Sequence, residues 1–137
     1  MHQFVDTNVL IYAADASAGA KQVRAAELLD RLWREETPCA SVQVLAEFHH
    51  NVTRKLPRPL SAAESLAKVQ YYSAWPIFAP SAPDIAAAIS LQMLHRLNFW
   101  DALIVHAALA LRCGILWTED LHHGMRFGDL AVQNPFA

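Results

Sequence analysis

Two rhythms alternate along this chain. Short apolar runs that end on polar residues are followed by longer stretches in which apolar positions recur at helical spacing. Met1 to Val5 reads as a short buried strand running straight into Asp6. A polar Thr7-Asn8 pair follows, then an apolar helical start at Val9, Leu10, Ile11 and Tyr12 that ends near Asp15. Ala18 to Glu36 reads as a long amphipathic helix with Val23, Ala26, Leu28, Leu29, Leu32 and Trp33 as its apolar face. Lys21, Arg24, Glu27, Asp30, Arg31, Arg34 and Glu35 fill the solvated side. Thr37-Pro38 breaks that helix, and Pro38 to Ser41 is a second strand, with Ser41 suited to cap the next helix.

That helix, Val42 to Leu56, carries Leu45, Phe48, Val52 and Leu56 on one stripe. Glu47 falls off the stripe, so periodicity places it in water. His49 and His50 point about 100° apart and cannot chelate one ion together as an i, i+4 pair could, so they belong to the surface. Pro57-Arg58-Pro59 is a linker, and Ser61 to Glu64 is a capping box opening a helix to about Trp75. Pro76 to Ala79 is a third strand. Ser81 to Asp84 is a second cap signal, and Ile85, Ile89, Met93 and Leu97 recur as a core face. Phe99-Trp100-Asp101 opens an Ala-Leu-rich helix that ends at Arg112-Cys113-Gly114, with Gly114 suited to a left-handed position. Ile115 to Thr118 is a fourth strand, and it runs into Glu119 and Asp120. Leu121 to Gly128 reads as irregular, and Leu130 to Val132 as a last strand. Strands alternating with helices predict an α/β fold with a parallel sheet covered on both faces.

Composition narrows this picture. A chain of 137 residues with 54% hydrophobic content is one domain, residues 1–137, with a real core. The most apolar stretch, Ala102 to Leu111, is about half the length of a membrane span and reads as a buried helix, so no membrane association is expected. Cys39 and Cys113 form no CxxC pattern, and Met1 leads into a strand rather than a leader peptide; a reducing, cytoplasmic setting is expected. A net charge of −2 speaks mildly against a passive nucleic-acid binder. It leaves room for an enzyme whose acidic pocket is offset by a cation.

The acids sit in suggestive places. Asp6 follows the first strand, Asp101 opens a helix and Asp120 follows the fourth strand. Open α/β sheets bind ligands beyond the carboxyl ends of their strands, where helix N-termini also gather. Glu47, one and a half turns into its helix, could reach the same edge. Each acid has a plainer alternative: Asp6 as a helix cap, Asp101 as a first-turn residue favoured by the helix dipole, Asp120 as a turn residue, Glu47 as a solvated side chain. Together they repel one another unless a cation neutralises them. Hard oxygen donors without His or Cys suit Mg²⁺ or Mn²⁺ rather than zinc, which is equipment for phosphodiester hydrolysis.

Four blocks carry a family resemblance: Val5 to Ile11, Ser41 with Leu45-Ala46-Glu47, Phe99 to Ile104, and Leu116 to Leu121. In this order they resemble the successive motifs of PIN-domain nucleases, and among these the VapC-like toxins of prokaryotic toxin–antitoxin pairs. The resemblance runs from about residue 4 to 135. It implies a three-layer α/β/α sandwich with a central, mostly parallel sheet, and metal-dependent endonucleolytic cleavage of RNA. It further implies that Asp6, Glu47, Asp101 and Asp120 bind Mg²⁺ or Mn²⁺ and do the catalytic work, with Asn8 and Thr118 orienting the carboxylates. Glu119 and Asp120 compete for the fourth acidic position, and Asp120, two residues after Thr118, is preferred. Arg54, Lys55 and Arg58 are candidate phosphate contacts, followed by Arg112 and Arg126. A cognate antitoxin and a homodimer are implied as partners, with apolar surface around Leu10, Tyr12, Trp33 and Phe48 available to them.

Rival readings differ in chemistry. A phosphatase with a nucleophilic strand-end Asp wants a second Asp two residues on, and position 8 is Asn. A PIN-like module that binds RNA or protein without cutting conflicts with four filled acidic positions. A DNA-directed nuclease stays open, because no residue identifies a reader of the 2′-hydroxyl.

Overall fold

The computed structural model describes residues 1–137, and its strands and helices alternate as the two rhythms require. In chain order they are β1 (His2–Val5), α1 (Thr7–Ala14), α2 (Ala20–Glu35), β2 (Thr37–Ser41), α3 (Val42–Arg54) and α4 (Ala62–Tyr72). There follow β3 (Ile77–Phe78), α5 (Ala82–His95), α6 (Phe99–Ala110), β4 (Ile115–Trp117), β5 (Arg126–Phe127) and β6 (Leu130–Gln133). The strands form one sheet in the order β3-β2-β1-β4-β6-β5. Every pairing is parallel except β5 with β6. Helix α1 packs on both α2 and α3, α3 on α4 and α5 on α6, and α6 lies against β2 and β4, giving a three-layer α/β/α fold.

Register carries the fold into the site. β1 and β4 are neighbours, with Val5 opposite Trp117. The residues that follow, Asp6 and Thr118, therefore leave the sheet side by side, and Asp6 N donates to Trp117 O at 3.0 Å as the strands part. Phe4, Val5, Val9, Leu10, Phe48, Val105, Leu116 and Val132 fill the core around these strands. The helices begin where capping residues stand: Ser41 accepts from Val44 N, and Ser61 and Glu64 form the expected capping box. The expected box at Ser81 and Asp84 is also present, and Asp84 reaches on to His106 Nε2 at 2.8 Å, tying α5 to α6.

The pattern of apolar residues misplaces several faces. In α2 the buried stripe is Ala25, Leu28 and Leu32, while Val23 and Trp33 are exposed. Val23 and Trp33 lie about 100° or more around the helix from that stripe, so they fall outside the contact. In α5 the docked residue is Ala88, and Ile89 and Met93 are exposed for the same reason. Leu10 and Phe48 are fully buried and offer no surface to a partner. Gly114 is not left-handed: Arg112 takes that conformation instead, with φ of 55°. A Cβ at 114 would lie 2.8 Å from Met1 Sδ, the end of a flexible and exposed side chain that could move aside. The stretch expected to be irregular contains β5, joined to β6 by a turn that opens on Gly128 at φ 60°. Both cysteines are buried free thiols, as composition indicated. No helix is long and apolar enough to cross a membrane.

Candidate active site

The centre of the site is a buried carboxylate held by backbone and hydroxyl donors. Asp6 Oδ1 accepts from Thr7 N at 2.7 Å, so the same side chain caps α1 and opens toward the sheet edge. Both readings of Asp6 from sequence, cap and site residue, describe the same geometry. Its second oxygen accepts from Thr118 Oγ1 at 2.8 Å and from Asn8 Nδ2 at 3.4 Å. Asn8 Nδ2 also lies 3.1 Å from both Thr118 Oγ1 and Asp120 Oδ2. Asp120 N donates to Thr118 Oγ1 at 3.0 Å, which fixes the loop after β4. One amide and one hydroxyl thus hold two carboxylates that lie more than a hundred residues apart in sequence.

Glu119 is engaged elsewhere. Tyr12 Oη donates to its Oε1 at 2.7 Å and Lys21 Nζ to its Oε2 at 2.9 Å. The ammonium of Lys21 also lies 4.7 Å from the centre of the Tyr12 ring. These contacts tie α1 and α2 to the loop after β4. Sequence alone assigns Tyr12 to apolar partner surface and Lys21 to a solvated face; their shared partner Glu119 is 98 or more residues away, and no local pattern signals it.

Glu47 is not the solvated side chain that periodicity suggests. It is half-buried, and Gln43 Nε2 donates to its Oε1 at 2.6 Å. Gln43 also reaches the Trp100 carbonyl at 3.4 Å, so it links α3 to the first turn of α6, where Asp101 stands. The i, i+4 spacing of Gln43 and Glu47 was the available signal for this bond. Asn98 caps α6 by accepting from Trp100 N at 2.8 Å.

The titration of Asp6 and Asp101 registers how near the other acids lie. Burial drives the Asp6 carboxyl up to about 7, with the charges of Asp120 and Glu47 adding to the rise and the Thr118 and Thr7 bonds opposing it. Asp101 is also raised, again by burial first and then by the same two neighbours, Asp120 and Glu47. Two acids on different elements sense the same pair of anions, so all four face one region. No three His, Cys, Asp or Glu side chains are gathered closely enough to enclose an ion as they stand. Mutual repulsion between carboxylates opposes such a cage until a cation neutralises it. The donor chemistry fits a hard divalent ion: carboxylate oxygens, with an amide and a hydroxyl behind them and no thiolate or imidazole.

The basic candidates differ in position. Lys55 borders a hollow of about 300 Å³ together with Asn8, Tyr12, Asp15, Asn51 and Glu119, which Asn8 links to the acidic site. Arg54 and Arg58 are exposed at the α3 exit without a carboxylate partner. Arg112 borders a separate hollow with Leu109, Cys113 and Leu130, and Arg126 is exposed on β5. His49 and His50 are exposed, as expected, and His49 Nδ1 meets Ser65 Oγ at 2.8 Å.

Residues 4–124 match the family model of the PIN domain. The fold is similar to that of a toxin–antitoxin complex from Klebsiella pneumoniae, at 20% identity and a TM-score of 0.71 over 97% of each chain. It is similar to VapBC2 of Rickettsia felis, solved on a DNA fragment from its promoter, at 21% identity and a TM-score of 0.69 over 98% of each chain. It is also similar to VapC20 of Mycobacterium tuberculosis, described as a sarcin-ricin-loop-cleaving toxin. There the identity is 19% and the TM-score 0.64, over 83% of this chain and 86% of that one. No curated protein matches the sequence.

Proposed function

The chain belongs to the PIN-domain family, and from that premise we propose that it is a Mg²⁺- or Mn²⁺-dependent endoribonuclease acting as the toxin of a toxin–antitoxin pair. The observation that carries the proposal is the network in which Thr118 and Asn8 hold the Asp6 and Asp120 carboxylates side by side, with Glu47 near enough to raise Asp6 and Asp101 alike. These four side chains would hold the ion, which when bound supplies Lewis-acid stabilisation of a phosphodiester's negative charge. Thr118 and Asn8 orient the Asp6 and Asp120 oxygens. Glu119, held by Tyr12 and Lys21, serves the architecture of the loop, and Asp120 takes the fourth acidic position.

Around the ion, the chain's own residues position the substrate. Lys55, which shares a hollow with Asn8, would pair with a backbone phosphate beside the scissile one. Arg54 and Arg58 extend that positive stretch along the α3 exit. Glu47, kept in place by Gln43, is suited to accept a proton from attacking water. RNA is favoured over DNA because a fold relative is described as cutting an RNA loop. The fold relatives solved as VapBC and toxin–antitoxin complexes support a small antitoxin partner. A homodimer and a cytoplasmic setting complete the reading.

Incubating the purified chain with varied single-stranded RNAs and Mg²⁺ or Mn²⁺ tests it. Internal cleavage that disappears with EDTA and in Asp6→Asn is the expected result. Cleavage that survives either control, or none across the RNAs, would overturn the proposal.

A further inference from the structure

Trp100 stands on the first turn of α6, directly before Asp101, and its side chain is 60% exposed. Its neighbours Ala102, Leu103, Ile104 and Val105 are buried, whereas the indole, with the half-buried Phe99 beside it, stands outside the core. Leaving an indole in water forgoes a substantial hydrophobic gain, which makes its position an observation to be explained.

The residue is braced. Its amide donates to Asn98 Oδ1 at 2.8 Å and its carbonyl accepts from Gln43 Nε2 at 3.4 Å. The Phe99 ring meets the indole at 5.1 Å and 72°, supporting it from one flank. Trp100 and Glu47 together border a hollow of about 310 Å³. One wall of that hollow is aromatic and the other is a carboxylate of the acidic cluster.

This combination selects its ligand. An aliphatic anchor from a protein would strip water from Glu47 and return no hydrogen bond. A nucleobase offers a π-face to the indole and N–H donors on its edge to the carboxylate. Unpaired bases are held on aromatic side chains in this way, with little dependence on sequence. We infer that Trp100 is a stacking platform for an unpaired base adjoining the scissile phosphate, an inference that rests on the ribonuclease reading above.

The test is fluorescence anisotropy of a labelled single-stranded oligoribonucleotide titrated, in EDTA, with the wild-type chain, Trp100→Ala and Trp100→Phe. Stacking on one aromatic residue predicts a Kd raised about ten- to a hundredfold in Trp100→Ala and only about threefold in Trp100→Phe. On a ribose-phosphate chain of equal length lacking bases, wild type and Trp100→Ala should bind alike. Equal affinity of the Ala variant for the base-bearing RNA overturns the platform. So does a loss that persists on the abasic chain, or one that follows a change in self-association measured by sedimentation, which would assign the indole to a protein contact. A parallel cleavage assay in Mn²⁺ separates the two readings. Wild type that cuts RNA while Trp100→Ala binds normally removes the platform alone. Trp100-dependent binding without cleavage in any metal removes the nuclease alone, and wild type that binds no RNA removes the platform.

Discussion

Thr118 Oγ1 donates to Asp6 Oδ2 at 2.8 Å across a separation of 112 residues. The bond exists because β1 and β4 are parallel neighbours whose last residues are in register. Thr118→Val keeps the shape and removes the donor. Loss of a group that orients a metal ligand typically weakens metal binding about 10- to 100-fold. Calorimetric titration with Mn²⁺ should show a drop of that order, and an unchanged affinity would deny Thr118 this role.

The raised Asp6 carboxyl has a stability consequence. Its folded value of about 7 exceeds the ordinary 3.8, chiefly through burial. The folded state therefore favours the protonated form. That stabilisation is complete below about pH 4 and is lost as pH rises through about 7. At about 1.4 kcal/mol per pKa unit, the penalty near pH 8 amounts to a few kcal/mol. Without metal, the thermal midpoint should fall between pH 4 and 8, and Asp6→Asn should flatten that slope while abolishing cleavage. Mg²⁺ should raise the wild-type midpoint at pH 8 and have little effect at pH 5. Calorimetry across pH, with EDTA and with Mg²⁺, checks this; parallel wild-type and Asp6→Asn slopes would count against it.

Glu119 and Asp120 are adjacent in sequence and serve different neighbours. Asp120 Oδ2 faces Asn8, whereas both Glu119 oxygens are taken by Tyr12 and Lys21. Asp120→Asn is expected to lower kcat at least about a hundredfold, the scale on which removing a charge-stabilising group acts. Glu119→Gln should leave kcat within about tenfold and instead reduce thermal stability, by about 1 kcal/mol for hydrogen bonds of this partly exposed kind. The reverse ranking in a cleavage assay would move the fourth acid to Glu119.

The alternation of strands and helices was legible because buried parallel strands and amphipathic helices leave different apolar periods. Asp6, Asp101 and Asp120 could be flagged for the same reason, since each stands where an element begins or ends. Faces of helices were less legible. α2 docks through Ala25, Leu28 and Leu32 and α5 through Ala88, and apolar residues off those narrow stripes, such as Trp33 and Met93, stay exposed, against what hydrophobicity alone suggests. Periodicity alone placed Glu47 in water because an apolar stripe does not register the i, i+4 bond from Gln43 on the same helix, and the first turn of α6 beside it is a tertiary feature. Gly114 misled in another way: the left-handed residue at this helix end is Arg112, two positions earlier, and a glycine near a helix end attracts that role in sequence.

Gln43 provides a last expectation. Its Nε2 is shared between Glu47 Oε1 at 2.6 Å and the Trp100 carbonyl at 3.4 Å, so one amide sets the position of a carboxylate relative to the helix that carries Asp101. Glutamate side chains have several rotatable bonds, and an unrestrained Glu47 would spend most of its time away from a productive pose. Gln43→Ala should therefore lower kcat about tenfold, the scale of lost positioning, with the circular dichroism spectrum unchanged. Gln43→Met, which fills the space without a donor, should behave like the Ala variant. Wild-type kcat in Gln43→Met would mean that packing, not the hydrogen bond, holds Glu47 in place.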